Sequence, residues 1–208
     1  RVMTLLDILK EKKYDTDKHT AHDYIQTIYD PMFEVWQYSK INFLEIGVYN
    51  GESMKLWSDY FINAENIVGV DIFERTPLSE VKDNLKDYDV NLHKFDSFRD
   101  TDKFEEFSKQ YNDGFDIIID DGHHHFESQI NTFKQFSPLM NKDGVYIIED
   151  INFEQEGAMC SGPMTYYEDT NHVSQMSIPV IQKEIPNIRF YVTGGEMFQS
   201  QPIGIITF

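Results

Sequence analysis

Two short apolar stretches of the chain each end in a pair of carboxylates, and a run of histidines follows the first pair. These residues are Asp120, Asp121, His123, His124, His125, Glu149 and Asp150. In an open parallel sheet, ligands bind in the crevice beyond the carboxyl ends of the strands. If the two stretches are neighbouring strands, four carboxylates and a histidine cluster surround one crevice. The pattern therefore indicates a binding or catalytic site.

Strands and helices alternate along most of the sequence and would position this crevice. Apolar runs predict strands, and apolar residues three and four apart predict helices between them. The predicted strands are 41–46, 67–72, 89–95, 115–120 and 144–149, and the predicted helices are 51–62, 78–86, 101–111 and 126–137. This alternation indicates a doubly wound, mostly parallel α/β sheet with helices on both faces. The last stretches, 188–193 and 203–208, are expected to pair antiparallel at one edge.

Two further helices are expected before the first strand, at 3–12 and 24–38. Pro31 lies inside the second one and predicts that this helix starts or kinks there. Residues 151–175 carry no clear period and follow a presumed site strand, so we expect a lid or substrate loop. A disordered insertion is the alternative for this segment.

The first predicted strand leads into a turn that contains two glycines. Gly47 and Gly51 would let the backbone bend tightly and approach a ligand. Asp71, at the end of the next strand, is placed to accept hydrogen bonds from both hydroxyls of a ribose. The spacing differs from the Gly-x-Gly-x-x-Gly of dinucleotide folds, with Tyr49 at the middle position. The pattern therefore lacks the pyrophosphate-binding feature and argues against NAD.

The composition limits the partners of the chain. Its 208 residues carry a formal charge of -18, which argues against nucleic acid or an anionic membrane surface as partner. Solubility is the simplest explanation of that acidity. The single Cys160 excludes an internal disulfide, and no apolar run approaches the roughly 20 residues that span a bilayer. We therefore expect a cytoplasmic protein, although a start at Arg1 is consistent with a fragment of a longer chain.

Together these residues resemble class I S-adenosylmethionine-dependent methyltransferases. The stretch from Glu45 to Gly51 is similar to their first motif, Asp71 to the ribose-binding acid, and Asp96 to Phe98 to the adenine-side turn. The run Asp120 to His124, followed by Ile148 to Asp150, resembles the magnesium-dependent O-methyltransferases that act on sugars of macrolide antibiotics, and the related cephalosporin hydroxylase-like proteins. The resemblance extends over most of 14–150 and includes Thr16-Asp17-Lys18, His22, Tyr24 and Tyr29.

The resemblance implies a Rossmann-like, seven-stranded methyltransferase fold and roles for individual residues. In the cofactor site it places Lys18, Tyr24, Glu45, Gly47, Gly51, Ser53, Asp71, Ile72, Asp96, Ser97, Phe98 and Asp120. As metal ligands it implies Asp121, Glu149 and Asp150, and in catalysis it implies Asp121 and the base His124. It also implies that 1–40 is a helical cap over the cofactor site and that 41–208 is the core.

The implied ligand set suits a particular chemistry. Three carboxylates without cysteine favour Mg²⁺, with Mn²⁺ or Ca²⁺ open and zinc through the histidines as a rival. A cation in contact with a substrate hydroxyl lowers the pKa of that hydroxyl, and His124 would remove its proton. The family pattern has Ser at the position of His123, and His125 is an additional imidazole, so all three histidines stay candidates for the base.

The leading hypothesis is a metal-dependent O-methyltransferase for a small polyhydroxylated molecule such as a sugar or glycoside. A hydroxylase- or dehydrogenase-like enzyme on the same scaffold, or a cofactor-binding module without turnover, are the alternatives. The purely structural interpretation is that Asp121-Gly122 only caps a helix and that Glu149-Asp150 only ends a strand. Likewise, Asp96-Ser97 is also an ordinary helix cap. The methyl acceptor and the oligomeric state stay open.

Overall fold

The computed structural model describes residues 3–151, 154–155, 158–159, 174–192 and 202–208. Its strands are β1 Asn42–Ile46, β2 Asn66–Asp71, β3 Asn91–Lys94, β4 Phe115–Asp120, β5 Met140–Ile148, β6 Glu154–Gln155, β7 Ala158–Met159, β8 Arg189–Val192 and β9 Pro202–Thr207. Seven of them form one sheet in the order β3-β2-β1-β4-β5-β9-β8, and β6 pairs with β7 separately. The first five strands of that order are parallel, and β9 is antiparallel to both of its neighbours. The predicted fold class and the antiparallel pair at one edge are confirmed.

The helices that cover the sheet are α1 Leu5–Lys12, α2 Asp17–Thr20, α3 Asp30–Phe33, α4 Glu52–Tyr60, α5 Leu78–Asn84, α6 Thr101–Gln110, α7 Phe126–Phe136 and α8 Ser174–Glu184. Alternate residues of β4 face opposite layers, as strand geometry requires. Ile117 and Ile119 pack in a cluster that includes Trp57, whereas Ile118 packs in a second cluster that includes Phe136. Both faces of the central strands are therefore buried, which explains their near-continuous apolar sequences.

The register of the sheet determines where the predicted site lies. Ile46 of β1 is paired with Asp120 of β4, and Asp120 is paired with Ile148 of β5. Asp121 and Glu149 therefore leave adjacent strands at the same edge of the sheet. The backbone N–H of Asp121 donates to Ile46 O, and that of Glu149 donates to Asp120 O, which ties the three strand ends together.

The helix predicted at 24–38 is continuous in path but changes type along its length. Ile25–Tyr29 is a π-helical turn, α3 follows it, and Glu34–Trp36 is a 3₁₀ turn. Because Pro31 has no N–H to donate, an unbroken α-helical ladder cannot pass through this position. Single π-helical turns such as Ile25–Tyr29 are frequent at functional sites.

The N-terminal segment packs on the same layer as α4. Leu5, Tyr29, Phe33 and Trp57 are all fully buried in one cluster. The two carboxylate oxygens of Asp30 accept the N–H groups of Leu5 and Leu6 and so join α3 to the start of α1. The division into a cap of 1–40 and a core from 41 stays a prediction, although this packing brings the segment to the strand ends.

Helix α8 was not expected from the sequence. Pro179 lies inside it and obscures the helical pattern, but Ile178, Ile181 and Ile185 are buried at helical spacing on one side. The loop predicted at 151–175 lies largely outside the described residues. Within the described ranges, no helix is both long and apolar enough to cross a membrane.

Candidate active site

A cleft of about 640 Å³ opens at the carboxyl ends of β1, β2 and β3. Ten of the predicted site residues line it: Lys18, Gly47, Ser53, Asp71, Ile72, Asp96, Ser97, Phe98, Asp121 and His124. We call this space the cofactor cleft. Tyr24, Glu45, Gly51 and Asp120 are not among its lining residues and lie behind its walls, as do Glu149 and Asp150.

Asp71 fixes the turn that forms one wall of the cleft. Its carboxylate accepts the backbone N–H groups of Val48 at 2.7 Å, Tyr49 at 3.0 Å and Phe73 at 2.6 Å. Three backbone donors hold the group in one orientation. The end of β2 and the turn after β1 are therefore locked to each other around a carboxylate that lines the cleft.

Gly47 allows the first turn to touch the end of β4. Its φ is +91°, and a Cβ built on it would lie 2.0 Å from the backbone oxygen of Asp121. Only glycine combines this conformation with such a close approach. Gly51 has the same φ but lies against the Leu85 side chain at the start of α4, so its role is in the turn and not in the cleft wall.

Glu45 lies behind the cleft wall and is held by side chains. Its carboxylate accepts from Ser53 Oγ at 2.7 Å and Trp57 Nε1 at 3.2 Å, and Lys18 Nζ lies 3.2 Å from its other oxygen. Burial raises the pKa of Glu45 to about 7, against the opposing effect of Lys18. The Ser53 hydroxyl therefore serves mainly to hold the carboxylate of Glu45.

Behind the cleft lies a group of charged side chains that we call the carboxylate cluster, made of Lys18, Asp121, His124, Glu149 and Asp150. Lys18 Nζ is 2.5 Å from Asp121 Oδ2 and 2.9 Å from Glu149 Oε2. Burial alone would lower the pKa of Lys18, but the carboxylates raise it well above its usual value. Burial has the opposite effect on Asp121 and alone would raise its pKa, but Lys18 and His124 hold that pKa at about 2.

Tyrosines of the N-terminal segment hold the two carboxylates that follow β5. The Tyr29 hydroxyl donates to Glu149 Oε1, and the Tyr24 hydroxyl donates to Asp150 Oδ1 at 2.7 Å. Asp150 has a φ of +47°, a conformation that costs energy for a residue with a Cβ. The surrounding contacts keep this strained backbone in place, which is a frequent property of functional sites.

His124 lies between two carboxylates of the cluster. Its Nε2 is 3.2 Å from Asp121 Oδ1, and its Nδ1 is 3.7 Å from Asp150 Oδ2. Burial would lower its pKa, but the hydrogen bond to Asp121 and the charges of both aspartates raise it to about 9. Both ring nitrogens therefore face anionic groups at the border of the cleft.

The three consecutive histidines have different surroundings. His125 accepts the N–H of Glu127 and caps α7, and the ring of His123 lies 5.8 Å from that of Phe98 on the cleft wall. Among the three, His124 has the ion-pair contacts to Asp121 and Asp150. The geometry thus favours His124 over its neighbours for a role at the carboxylates.

One group among the described residues could hold a cation, and it consists of Asp121, His124 and Asp150, whose ligand atoms lie within 4.8 Å of one another. Oxygen and imidazole donors suit Mg²⁺ or Mn²⁺, and they also admit zinc. The structure brings all three predicted metal ligands, Asp121, Glu149 and Asp150, to one place. The oxygens of Glu149, however, contact Lys18 and Tyr29.

Some contacts of the cluster were not assigned from the sequence. Gln129 of α7 donates to the backbone oxygens of Glu149 at 3.1 Å and Asp150 at 3.2 Å, which fixes the end of β5. In the sequence, the only signal for this contact is a glutamine one turn into the predicted helix. The family resemblance included His22 and Tyr29 but gave neither an individual role. His22 Nε2 lies 3.5 Å from Asp150 Oδ1.

Asp120 is buried and is not among the residues that line the cleft. Its Oδ1 accepts the N–H of Gly122 at 3.2 Å, and its Oδ2 is buried without a hydrogen-bond partner among the described residues. Burial raises its pKa to about 7. Of the paired carboxylates after β4, Asp121 thus faces the site and Asp120 packs beneath it.

Comparison with known proteins identifies the family. The profile of a methyltransferase domain matches residues 44–151, which is more than half of the chain. This chain belongs to that methyltransferase family. The match begins inside β1 and ends just after the Glu149-Asp150 pair, so the domain profile includes both the cofactor cleft and the carboxylates that follow β4 and β5.

Two curated relatives are similar to this methyltransferase domain. The 8-demethyl-8-(2-methoxy-alpha-L-rhamnosyl)-tetracenomycin-C 3'-O-methyltransferase of Streptomyces olivaceus is 27% identical over 67% of this chain and 35% of its own length. Mycinamicin VI 2''-O-methyltransferase of Micromonospora griseorubida is 27% identical over 67% of this chain and 34% of its own. The chain thus spans about a third of the length of these relatives. Both are named as O-methyltransferases, which confirms the predicted resemblance.

A solved structure supports the same relationship. The MycE methyltransferase from the mycinamycin biosynthetic pathway, in complex with Mg and SAH, matches with a TM-score of 0.60 and 26% identity. The match includes 72% of this chain and 37% of that one.

Proposed function

We propose that this chain carries the catalytic site of an S-adenosylmethionine- and divalent-cation-dependent O-methyltransferase. Its acceptor would be a hydroxyl of a small polyhydroxylated molecule such as a sugar or glycoside. The observation that carries the proposal is the shared border of the two regions: Asp121 and His124 line the cofactor cleft and also belong to the group that could hold a cation. A methyl donor and a cation-bound hydroxyl would therefore meet at these two residues.

The cofactor cleft fits S-adenosylmethionine in its chemistry. Asp71 presents a fixed carboxylate suited to ribose hydroxyls, and the aromatic ring of Phe98 lines the same cleft. Gly47 also lines this cleft and adds no side chain to it. When bound, S-adenosylmethionine supplies a methyl group on a sulfonium sulfur, which passes to the acceptor oxygen and leaves S-adenosylhomocysteine. The MycE structure that resembles this chain contains SAH and Mg.

The carboxylate cluster fits a hard divalent cation. Asp121, Glu149 and Asp150 would offer oxygen donors: ligand atoms of Asp121 and Asp150 lie within 4.8 Å of each other, and Lys18 Nζ contacts both Asp121 and Glu149. A bound cation lowers the pKa of a hydroxyl in contact with it and offsets the charge of the carboxylates. The strained backbone of Asp150, held by Tyr24, is consistent with a carboxylate fixed for this purpose.

His124 is the group of this chain that would take the acceptor's proton. Asp121 orients the ring through Nε2, and Asp150 lies on the side of Nδ1, so the imidazole cannot rotate freely. A cation held by these carboxylates would offset the charges that raise the pKa of His124, which favours the neutral imidazole that can act as a base. Fixing both reactants in line contributes further, about 7–11 kcal/mol in the best cases.

We also propose that residues up to about 40 form a cap over the cofactor site. Lys18 of this segment lines the cleft, and Tyr24 and Tyr29 donate to the carboxylates that follow β5. The segment thus supplies one wall of the cleft and one side of the cluster. Removing it would open both.

Calorimetric titration of S-adenosylhomocysteine, with Mg²⁺ and again with EDTA, tests the cofactor assignment. We expect binding in both conditions, because the cleft is complete without the cation, and no binding of NAD as the control ligand. Failure of S-adenosylhomocysteine to bind in either condition contradicts the proposal.

Methyl transfer to a panel of sugars and glycosides tests the reaction itself. We expect Asp121→Asn to abolish transfer while its affinity for S-adenosylhomocysteine stays within a fewfold of that of the unchanged chain. Full transfer by Asp121→Asn under saturating Mg²⁺ would show that this carboxylate does not hold the cation.

A further inference from the structure

Lys18 is a buried ammonium in the middle of the carboxylate cluster. Only 1% of the residue is exposed, and Nζ lies within ion-pair distance of Asp121, Glu149 and Glu45. A buried charge is tolerated only when it is paired, so these carboxylates and this lysine depend on one another. Lys18 comes from the short helix α2, over a hundred residues before Asp121 in the sequence.

Both oxygens of Asp121 already have a partner in this arrangement. Oδ1 faces His124 at 3.2 Å, and Oδ2 faces Lys18 at 2.5 Å. Glu149 is likewise shared between Lys18 and Tyr29. Because His124 and Tyr29 hold Asp121 Oδ1 and Glu149 Oε1, a divalent cation that bridges the two carboxylates would take Asp121 Oδ2 and Glu149 Oε2, the oxygens that the ammonium contacts. Two positive charges at one set of buried oxygens repel each other.

We propose that Lys18 and the divalent cation compete for the carboxylates of Asp121 and Glu149, so that cation binding displaces the ammonium. Lys18 would then act as a built-in counter-ion that keeps the carboxylates together until a cation arrives. The inference rests on the cation site of the proposed function and adds a residue that sets the affinity of that site.

The displaced ammonium has a place to go. Glu45 already lies 3.2 Å from Nζ, and the four-carbon stem of lysine is flexible. The segment that carries Lys18 is short: α2 is one turn long, and Thr16 makes no side-chain capping bond to it. Its backbone bonds run from His19 and Thr20 to Thr16 and from Ala21 and His22 to Asp17.

Titration of Mg²⁺ into the unchanged chain and into Lys18→Met tests the competition. Methionine keeps most of the side-chain volume but removes the charge, so we expect Mg²⁺ affinity to rise at least tenfold. Lys134→Met is the matched control, because Lys134 pairs with Glu184 on the surface, and it should leave the affinity unchanged. Equal or weaker Mg²⁺ binding by Lys18→Met overturns the competition, since a lysine that merely supports the site would give that result.

Hydrogen exchange of the unchanged chain gives a readout that needs no variant. If Mg²⁺ displaces Lys18 from Asp121 and Glu149, the amides of Ala21 and His22 should exchange several-fold faster with Mg²⁺ than with EDTA, because α2 keeps only the ion pair of Lys18 with Glu45. Unchanged or slower exchange overturns the displacement, even where Lys18→Met does not fold.

The two proposals fail in different ways. Mg²⁺ binding of equal affinity in the unchanged chain and in Lys18→Met leaves the cation site standing and removes the role of Lys18. A lack of Mg²⁺ binding in both, with S-adenosylhomocysteine still bound, removes the cation site and the competition together.

Discussion

The cofactor cleft and the carboxylate cluster share a border at Lys18, Asp121 and His124, but they are built differently. The cleft is formed by turns: backbone N–H groups bind Asp71, and Gly47 lets two turns touch. The cluster is formed by buried side chains, in which hydroxyl, ammonium and imidazole groups from distant parts of the chain meet carboxylates.

This difference predicts different responses to mutation. A site made of backbone contacts tolerates changes to most side chains, but it fails when the backbone itself is forced to move. A site made of buried charges depends on each partner, because an unpaired buried charge costs more than the pair contributes. We therefore expect changes in the cleft and in the cluster to affect cofactor and cation binding separately, except at the shared border.

The largest effect is expected for Gly47→Ala, because Gly47 lies where the turn after β1 meets the end of β4. The new Cβ would lie 2.0 Å from Asp121 O at a φ of +91°, so the turn and the end of β4 cannot both keep their positions. We expect the free energy of unfolding in urea to fall by about 4 kcal/mol or more. Gly122→Ala is the control: its Cβ approaches Asp120 Oδ1 at 3.2 Å without a positive φ, and it should cost at most about 1 kcal/mol. Equal losses would contradict the contact between the two regions.

Tyr29→Phe removes the hydroxyl that donates to Glu149 of the carboxylate cluster and changes no residue that lines the cleft. Glu149 loses a donor in a fully buried place, so we expect stability to fall by about 1–3 kcal/mol in urea unfolding. Affinity for S-adenosylhomocysteine should stay within twofold. Tyr60→Phe, at a buried tyrosine of α4 away from both regions, is the matched control and should cost less. A large loss of cofactor affinity in Tyr29→Phe would mean that the regions are not separable.

Asp71→Asn is the converse change, made in the cleft. The amide offers one accepting oxygen where the carboxylate accepts three N–H groups, and it loses the charge suited to ribose hydroxyls. We expect calorimetry to show at least a tenfold loss of affinity for S-adenosylhomocysteine, about 1.4 kcal/mol. Mg²⁺ affinity should stay within twofold, and a parallel loss of both would contradict the separation.

The smallest effect is expected for Tyr14→Phe, which tests how the N-terminal segment is anchored outside both regions. The Tyr14 hydroxyl is 2.6 Å from Asp59 and 2.5 Å from Tyr88, in a partly exposed place. We expect a loss of about 1 kcal/mol or less in thermal unfolding and no change in either affinity. A marked change in Mg²⁺ affinity would show that the cluster depends on this remote anchor.

The same difference explains what the sequence could predict. The turn with Gly47, the acid at Asp71 and the carboxylates after β4 and β5 are local patterns, and apolar runs place them at the strand ends. The contacts of Lys18, Tyr24 and Tyr29 join residues more than a hundred positions apart, and spacing alone carries no signal for them. Gln129 was missed because its bonds to the backbone oxygens of Glu149 and Asp150 depend on how α7 packs against the end of β5, and α8 was missed because Pro179 breaks the helical pattern.

The position of the cation relative to the cofactor tests the central claim most directly. Anomalous diffraction from crystals grown with Mn²⁺ and S-adenosylhomocysteine would locate both. We expect one Mn²⁺ peak about 2 Å from oxygens of Asp121, Glu149 and Asp150, beside S-adenosylhomocysteine in the cleft lined by Gly47 and Asp71. A Mn²⁺ peak elsewhere, or S-adenosylhomocysteine bound outside this cleft, would contradict the account.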